Sequence, residues 1–413
     1  MKKCLVCAMA LLLVSSMLLT TPALATDVQA YDTDVSVSKD KIVSPEKITL
    51  DISDAIAAYY YSKDVSGVFP EEGTFAADIA SYLSDKMDVQ QYVTQLYDTD
   101  KENYSAEVDL VEYNISTNAN IISMKYQVVT TYNYVGCDFE TTSSEIVEIQ
   151  YDLDEGCVVD MHVPMDYYDE FVRADQAADS RTSINAEFSL TPEVVAKQDE
   201  IKELISARYA DMNNLTAVES VPGNVSRAST LNNTAIVNWA RSNFNKDQPT
   251  SGSSSISYCD FSEMNNAYDC TNFVSHAILA GGAKMYDPGG SGIGSTGWYY
   301  RNVNDRSVSW AGVEFFYNYM TSNTRSNTAA GQSYLYSHNG AWWSPGYVMQ
   351  FNFDGTGGYD HSTIVTEKRY SSDGARCYAY VTGRTGDGVY NNNKSADEMS
   401  PVNPVRALFI YNN

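Results

Sequence analysis

The chain has 413 residues, 44% hydrophobic and 12% aromatic, which is enough apolar material for real cores and excludes wholesale disorder. That length calls for two domains, or one domain with a large extension. Acids outnumber bases 53 to 27, a net charge of -26, and a chain this acidic is repelled by nucleic acids and by anionic membranes.

In chain order, Lys2 and Lys3 precede an apolar stretch from Leu5 to Leu19, and Ala23-Leu24-Ala25 offers a small-x-small cleavage site. Residues 1–25 therefore predict an export signal cut after Ala25. The apolar stretch is shorter than the roughly 20 residues a spanning helix needs, so cleavage rather than anchoring is expected. Val6 before Cys7 argues against lipidation. The expected product is secreted, extracellular or cell-wall associated, with no stable membrane insertion.

From Thr26 to Glu170 there are 30 acids and 7 bases; from Phe171 to Thr230, 9 and 6; from Leu231 to the end, 14 and 12. This step in charge predicts an acidic domain over 26–170, a helix and linker over 171–230, and a second domain over 231–413. The first opens with two helical patterns, SDAIAAYYYSKDV and FAADIASYLSDKMDVQQYVTQLY. Strand-like runs follow at Ala106–Thr117, Ile121–Val135, Asp138–Tyr151 and Cys157–Val163, alternating apolar with polar positions. Helices followed by a meander predict a small α+β domain, cystatin-like by analogy. His162 alternates with Met161 and Val163 and reads as packing. No calcium-loop or zinc spacing appears, so no metal or other cofactor is expected. A helix beginning at Pro192 with Thr191 as its cap comes next.

The last domain starts with the helical pattern NNTAIVNWARSNFN. Asp269 then stands where it can cap a helix whose first residue is Cys270. Phe273, Val274, Ala277 and Ile278 form its buried stripe, and Gly281-Gly282 ends it. A cysteine in a first helical turn faces unsatisfied N–H groups, which lower a thiol pKa. A thiolate nucleophile needs a base, usually histidine. His162 lies in the other domain, His276 points about 120° away from Cys270 on the same helix, and His338 lies in a loop. His361, at the start of the strand HSTIVTEK, is the remaining candidate. Simple hairpin pairing about the turn SSDG sets Arg384 opposite His361, and a guanidinium cannot accept an imidazole N–H. The orienting group is left among Asp387, Asp360, Asn391 and a backbone carbonyl.

After removal of the signal five cysteines remain: Cys137, Cys157, Cys259, Cys270 and Cys377. In an oxidising compartment pairing is the default, and an odd count leaves one over. Pairing Cys137 with Cys157 and Cys259 with Cys377 would spare Cys270. The first pair, though, falls at opposite ends of a strand, against a Cα separation limit of about 7 Å.

The run DCTNFVSHAILAGG resembles the D-C-T-N-F-V-S-Q signature of the family known as the "putative amidase domain" of Gram-positive secreted proteins, related to NlpC-type and papain-like cysteine hydrolases. GWYYRN, SWAGVEFFYNYM, SPGYVMQF and DHSTIVTE follow in matching order, so the resemblance covers about 231–411. It implies a papain-like or NlpC-type α+β domain, Cys270 as nucleophile and His361 as base. It also implies an amide substrate such as peptidoglycan stem peptides or another cell-surface peptide. Tyr258 stands where such enzymes often place a tyrosine near the oxyanion hole. Three positions depart from the pattern: His276 replaces the usual Gln, Tyr347 the usual Asp of a P-G-D turn, and Arg384 a frequent His. A second reading follows from these departures, a non-catalytic surface-binding protein whose old cleft is lined by aromatics such as Trp342 and Trp343. The acidic domain would then, or otherwise, be an inhibitor or targeting module.

Overall fold

A computed structural model describes residues 45–69, 73–116, 120–172, 192–214, 229–246, 258–261, 269–339, 343–353, 355, 357–386 and 388–413. The signal segment, Thr191, Trp342 and Asp387 lie outside the described residues.

The acidic half begins with α1 (Pro45–Tyr61), a π-helical turn over Ser62–Ser66, and α2 (Ala77–Tyr97). An antiparallel meander follows: β1 (Lys101–Ser116), β2 (Ile121–Tyr134), β3 (Glu140–Asp152) and β4 (Cys157–His162). The strands lie close to where alternation placed them. β2 alternates buried Ile122, Met124, Tyr126 and Val128 with more exposed residues, so one face of the meander packs against the helices. A helical turn over 167–172 and the helix α3 (Pro192–Asn214) lead on.

The second half contains β5 (Ser229–Thr230), α4 (Asn233–Asn243), α5 (Cys270–Ala280), the small hairpin β6 (Tyr300–Asn302) and β7 (Asp305–Arg306), α6 (Val308–Ala311) and α7 (Val313–Ser322). Then come β8 (Ala329–Leu335), β9 (Val348–Phe351), β10 (His361–Tyr370), β11 (Cys377–Gly386), β12 (Val389–Ser395), α8 (Ala396–Met399) and β13 (Val405–Asn412). The result is mixed α+β with one large antiparallel sheet, its main path ordered β1-β2-β3-β12-β11-β10-β9-β13-β5.

That order joins the two halves. β12 pairs with β3 through Tyr390↔Ser144, Asn391↔Ser143 and Asn392↔Thr142. The step in charge near residue 170 is thus a step in composition, and the sheet crosses it. Central strands are covered on both faces, which is why they read as continuous apolar runs. Ile364, Val348 and Leu408 pack under α4, α5 and α7, while Val365, Met349 and Ala407 belong to the core shared with the acidic half.

The helix ends follow the sequence with one exception. Asn232 caps α4 by accepting from the N–H of Ala235 at 3.1 Å. Asp269 occupies the cap position of α5, but its carboxylate makes no cap bond to the helix backbone. Gly281 closes α5, and a Cβ there would collide with Ile236 of α4.

Candidate active site

Two elements bring Cys270 and His361 to one place. The N-terminus of α5 sits against the start of β10, where Thr271 Oγ1 and Ser362 Oγ lie 3.2 Å apart. Ser362 Oγ in turn accepts from Gln350 Nε2 of β9 at 3.0 Å. Cys270 and His361 then line one cavity of about 230 Å³ with Thr385, Phe353, Asp360, Met165 and Glu170. Met165 and Glu170 belong to the acidic half, and their sequence gave no signal for this role.

The polar letters of the D-C-T-N-F-V-S run each hold the helix in place. Asn272 Nδ2 donates to the Cys259 carbonyl and to Asp269, both at 2.8 Å, and its Oδ1 accepts from Trp310 Nε1 at 2.8 Å. Ser275 Oγ donates to the Trp310 carbonyl at 2.8 Å. Asp269 is the hub that the capping expectation missed. It accepts from the N–H of Phe261 at 3.0 Å and from the Tyr258 hydroxyl, and it pairs with Arg384 Nε at 3.1 Å. Its own N–H donates to the Thr385 carbonyl at 2.9 Å, tying the helix start to β11. Burial with Asp260 nearby pushes the Asp269 carboxyl up to about 7, against the pull of Arg384.

Tyr258 is therefore committed to Asp269. Its hydroxyl stands behind α5 and is absent from the residues lining the cavity. Burial and the neighbouring carboxylate hold its pKa well above 10.

Arg384 does not face His361. The turn is longer than simple pairing assumes, with Tyr370↔Cys377 as the last pair, and a bulge between Val365 and Glu367 returns one residue of the offset. Continued from Ile364↔Thr382, this register sets Thr385 level with His361, and Thr385 lines the cavity. Arg384 lies on the other side, where it pairs with Asp260 and Asp269 and donates to the Lys246 carbonyl at 2.7 Å.

Of the other orienting candidates that are described, Asp360 lines this cavity and Asn391 lines a neighbouring one that His361 also reaches. Asp360 accepts from the N–H of Phe353 at 3.0 Å, and Asn391 Oδ1 accepts from Ser143 Oγ at 2.7 Å. Among the described residues His361 Nδ1 has no hydrogen-bond partner. Rings of Phe353 and Phe351 flank the imidazole at centroid distances of 5.4 and 6.2 Å.

Burial decides the charge state of the pair. It pushes the Cys270 thiol up to about 11, although the N–H of Ser362 and the Thr271 hydroxyl favour the thiolate. Desolvation thus works against the lowering expected at a helix N-terminus. Burial also lowers His361 to about 4. At neutral pH the cavity therefore holds a thiol beside a neutral imidazole, the form in which histidine can take a proton.

None of the five cysteines is in a disulfide. Cys137 lies in the turn between β2 and β3, and Cys157 starts β4, so β3 separates them as the strand pattern indicated. Trp343 is fully buried, its Nε1 donating to the Ser337 carbonyl at 3.2 Å, so it lines no cleft. Among the described residues no group of three or more His, Cys, Asp or Glu is placed to hold a metal, and no helix is long and apolar enough to cross a membrane.

Residues 230–410 match a family model, "Putative amidase domain". The match covers the Cys270 helix, the His361 strand and the sheet between them, but not the acidic half. A protein of Bacillus subtilis (strain 168) named "Uncharacterized protein YhbB" is 30% identical over 142 residues, 34% of this chain and 39% of that protein. The chain thus spans well under half the length of the relative it matches. No solved structure matches. The amidase-domain match points to hydrolysis of amide bonds as the chemistry of the second half.

Proposed function

We propose that the protein is an exported, cysteine-dependent amide hydrolase of the papain-like and NlpC-type kind, acting on peptidoglycan stem peptides or another cell-surface amide. The observation that carries this reading is the shared cavity of Cys270 and His361, one at a helix start and the other at a strand start. The amidase-domain match and the leader-like residues 1–25 support it.

In this mechanism Cys270 Sγ attacks the amide carbonyl carbon while His361 takes the thiol proton. The two groups start neutral, so proton transfer accompanies attack rather than preceding it. His361 gives the proton to the leaving nitrogen, the C–N bond breaks, and a thioester remains on Cys270. A water molecule then attacks the thioester with His361 again as base, releasing the acid and restoring the thiol. The backbone N–H of Cys270, in the first turn of α5, would donate to the developing oxyanion. Asp360, Thr385 and Glu170 share the cavity wall with His361 and are the described groups from which an orienting third residue would come.

The high thiol pKa and the engagement of Tyr258 by Asp269 favour a second reading, a binding protein that has kept the hydrolase architecture. Purified sacculi separate the two readings. New amine groups should be released by the wild-type protein and lost in Cys270→Ser and His361→Ala. Release that survives both substitutions, or tight binding to sacculi with no release, overturns the hydrolase reading.

A further inference from the structure

A second cavity, of about 90 Å³, reaches His361 from the side of the acidic half and shares Met165, Phe353, His361 and Thr385 with the first. Its wall carries buried charges, and these are paired with one exception. Lys101 pairs with Asp64 at 2.9 Å and with Glu398 at 3.3 Å, and Lys394 pairs with Glu145 at 3.0 Å. Asp166 pairs with Lys86 at 3.0 Å.

The exception is Lys63. It is 8% exposed, and among the described residues its ammonium has no hydrogen-bond acceptor and no carboxylate within ion-pair distance. Its nearest favourable neighbour is the Tyr60 ring, 4.3 Å from centroid to Nζ. Lys63 sits in the π-helical turn Ser62–Ser66 that breaks the run from α1, a kind of distortion frequent at functional sites. Burial opposes its charge, but Asp64 and Glu145 outweigh burial and keep it protonated. The ammonium is thus held charged at the cavity wall with hydrogen bonds still to give, and an anion that met it there would gain a charge-assisted bond.

We infer that Lys63 is the docking point for a carboxylate on the ligand, so that the acidic half forms part of the binding site and selects peptides with a free carboxyl group. This rests on the hydrolase reading for the role of the adjoining cavity. The ligand's amide lies between Cys270 and His361, and its carboxylate passes His361 into the smaller cavity. The carboxylates already there are held by Lys101, Lys394 and Lys86, which leaves Lys63 as the cation with bonds to give.

The test uses full-length Cys270→Ser protein, so that turnover plays no part. Calorimetry compares N-acetyl-L-alanyl-D-alanine with its C-terminal carboxamide. The carboxylate should bind tenfold to a hundredfold more tightly, the range of a charge-assisted hydrogen bond. Adding Lys63→Met should abolish the preference, with some loss of melting temperature because Asp64 and Glu145 favour the charge; Lys63→Arg, which keeps that charge, should keep the preference. Equal binding of the two probes, no binding of either, or a preference that survives Lys63→Met overturns the inference. Amine release from sacculi by wild-type protein reports on the hydrolase reading separately, so either can fail alone.

Discussion

Two buried histidines, His338 in the turn after β8 and His361 at the start of β10, differ in how their ring nitrogens are satisfied. His338 is enclosed and saturated. Its Nδ1 meets Asn213 Oδ1 at 3.0 Å, its Nε2 meets Asp397 Oδ1 at 3.1 Å, and Tyr97, Tyr209, Tyr336 and Tyr378 surround the ring. His361 is equally buried, but its Nδ1 has no partner among the described residues and the ring opens on two cavities. Burial with every bond made is a brace between elements; burial with a bond withheld beside a thiol is a capacity for chemistry.

The largest effect should fall on activity. His361→Ala is expected to lower amide hydrolysis by about a thousandfold or more, while thermal melting stays close to wild type. His338→Ala should do the reverse. Measuring both rate and melting for both variants breaks the comparison if the two profiles coincide.

Stability responds next to the charges behind α5. Arg384→Met leaves Asp260 and Asp269 buried without their cation and should cost about 3–5 kcal/mol by urea unfolding. His338→Ala, which takes from Asp397 its imidazole partner and leaves it the Tyr336 hydroxyl, should cost about 2–4 kcal/mol. A cost below about 1 kcal/mol for His338→Ala would remove the brace from the account.

Acid sharpens the contrast with a third histidine. His276 is buried among Trp239, Tyr258, Tyr300 and Trp310, its Nε2 unpartnered, and burial lowers its pKa to about 3. His361 is lowered to about 4. A lowered histidine pKa means that the unfolded chain binds the proton first. Each group's contribution is therefore fully present above about 6.5 and is lost as pH falls toward the folded value. Asp269, raised to about 7, acts in the opposite sense: its contribution is fully present below about 4 and is lost as pH rises toward 7. His276→Gln removes one term alone. Between pH 6.5 and 4 it should flatten the fall in stability by roughly 1–3 kcal/mol, read from urea midpoints at each pH. An unchanged slope would mean that His276 is not buried neutral.

Much of this was legible from local pattern. The four strands of the meander, the start of α5 at Cys270 and the start of β10 at His361 follow from alternation, a cap-like Asp269 and the glycine pair that ends the helix. What was hidden is non-local. The pairing of β12 with β3 leaves no mark in either strand, so the acidic half gave no sign that Lys63, Met165 and Glu170 reach the cavity. Arg384 was misplaced because the turn after Tyr370 is longer than SSDG pairing assumes, and the bulge at Val365–Glu367 returns only one residue of that offset. The burial that raises the Cys270 thiol was hidden as well, because a helix start can be read from sequence whereas complete burial cannot.

The central claim is that Cys270 and His361 form one reactive pair. Alkylation of the full-length protein with iodoacetamide, followed by peptide mapping of all five thiols from pH 5 to 10, tests it without a substrate. Cys259 and Cys377 are buried like Cys270, line neither of the two cavities and serve as internal controls. The account predicts that Cys270 is labelled faster than both, and that His361→Ala slows Cys270 and leaves the others unchanged. Labelling of Cys270 no faster than of Cys259, with no response to His361→Ala, would contradict it.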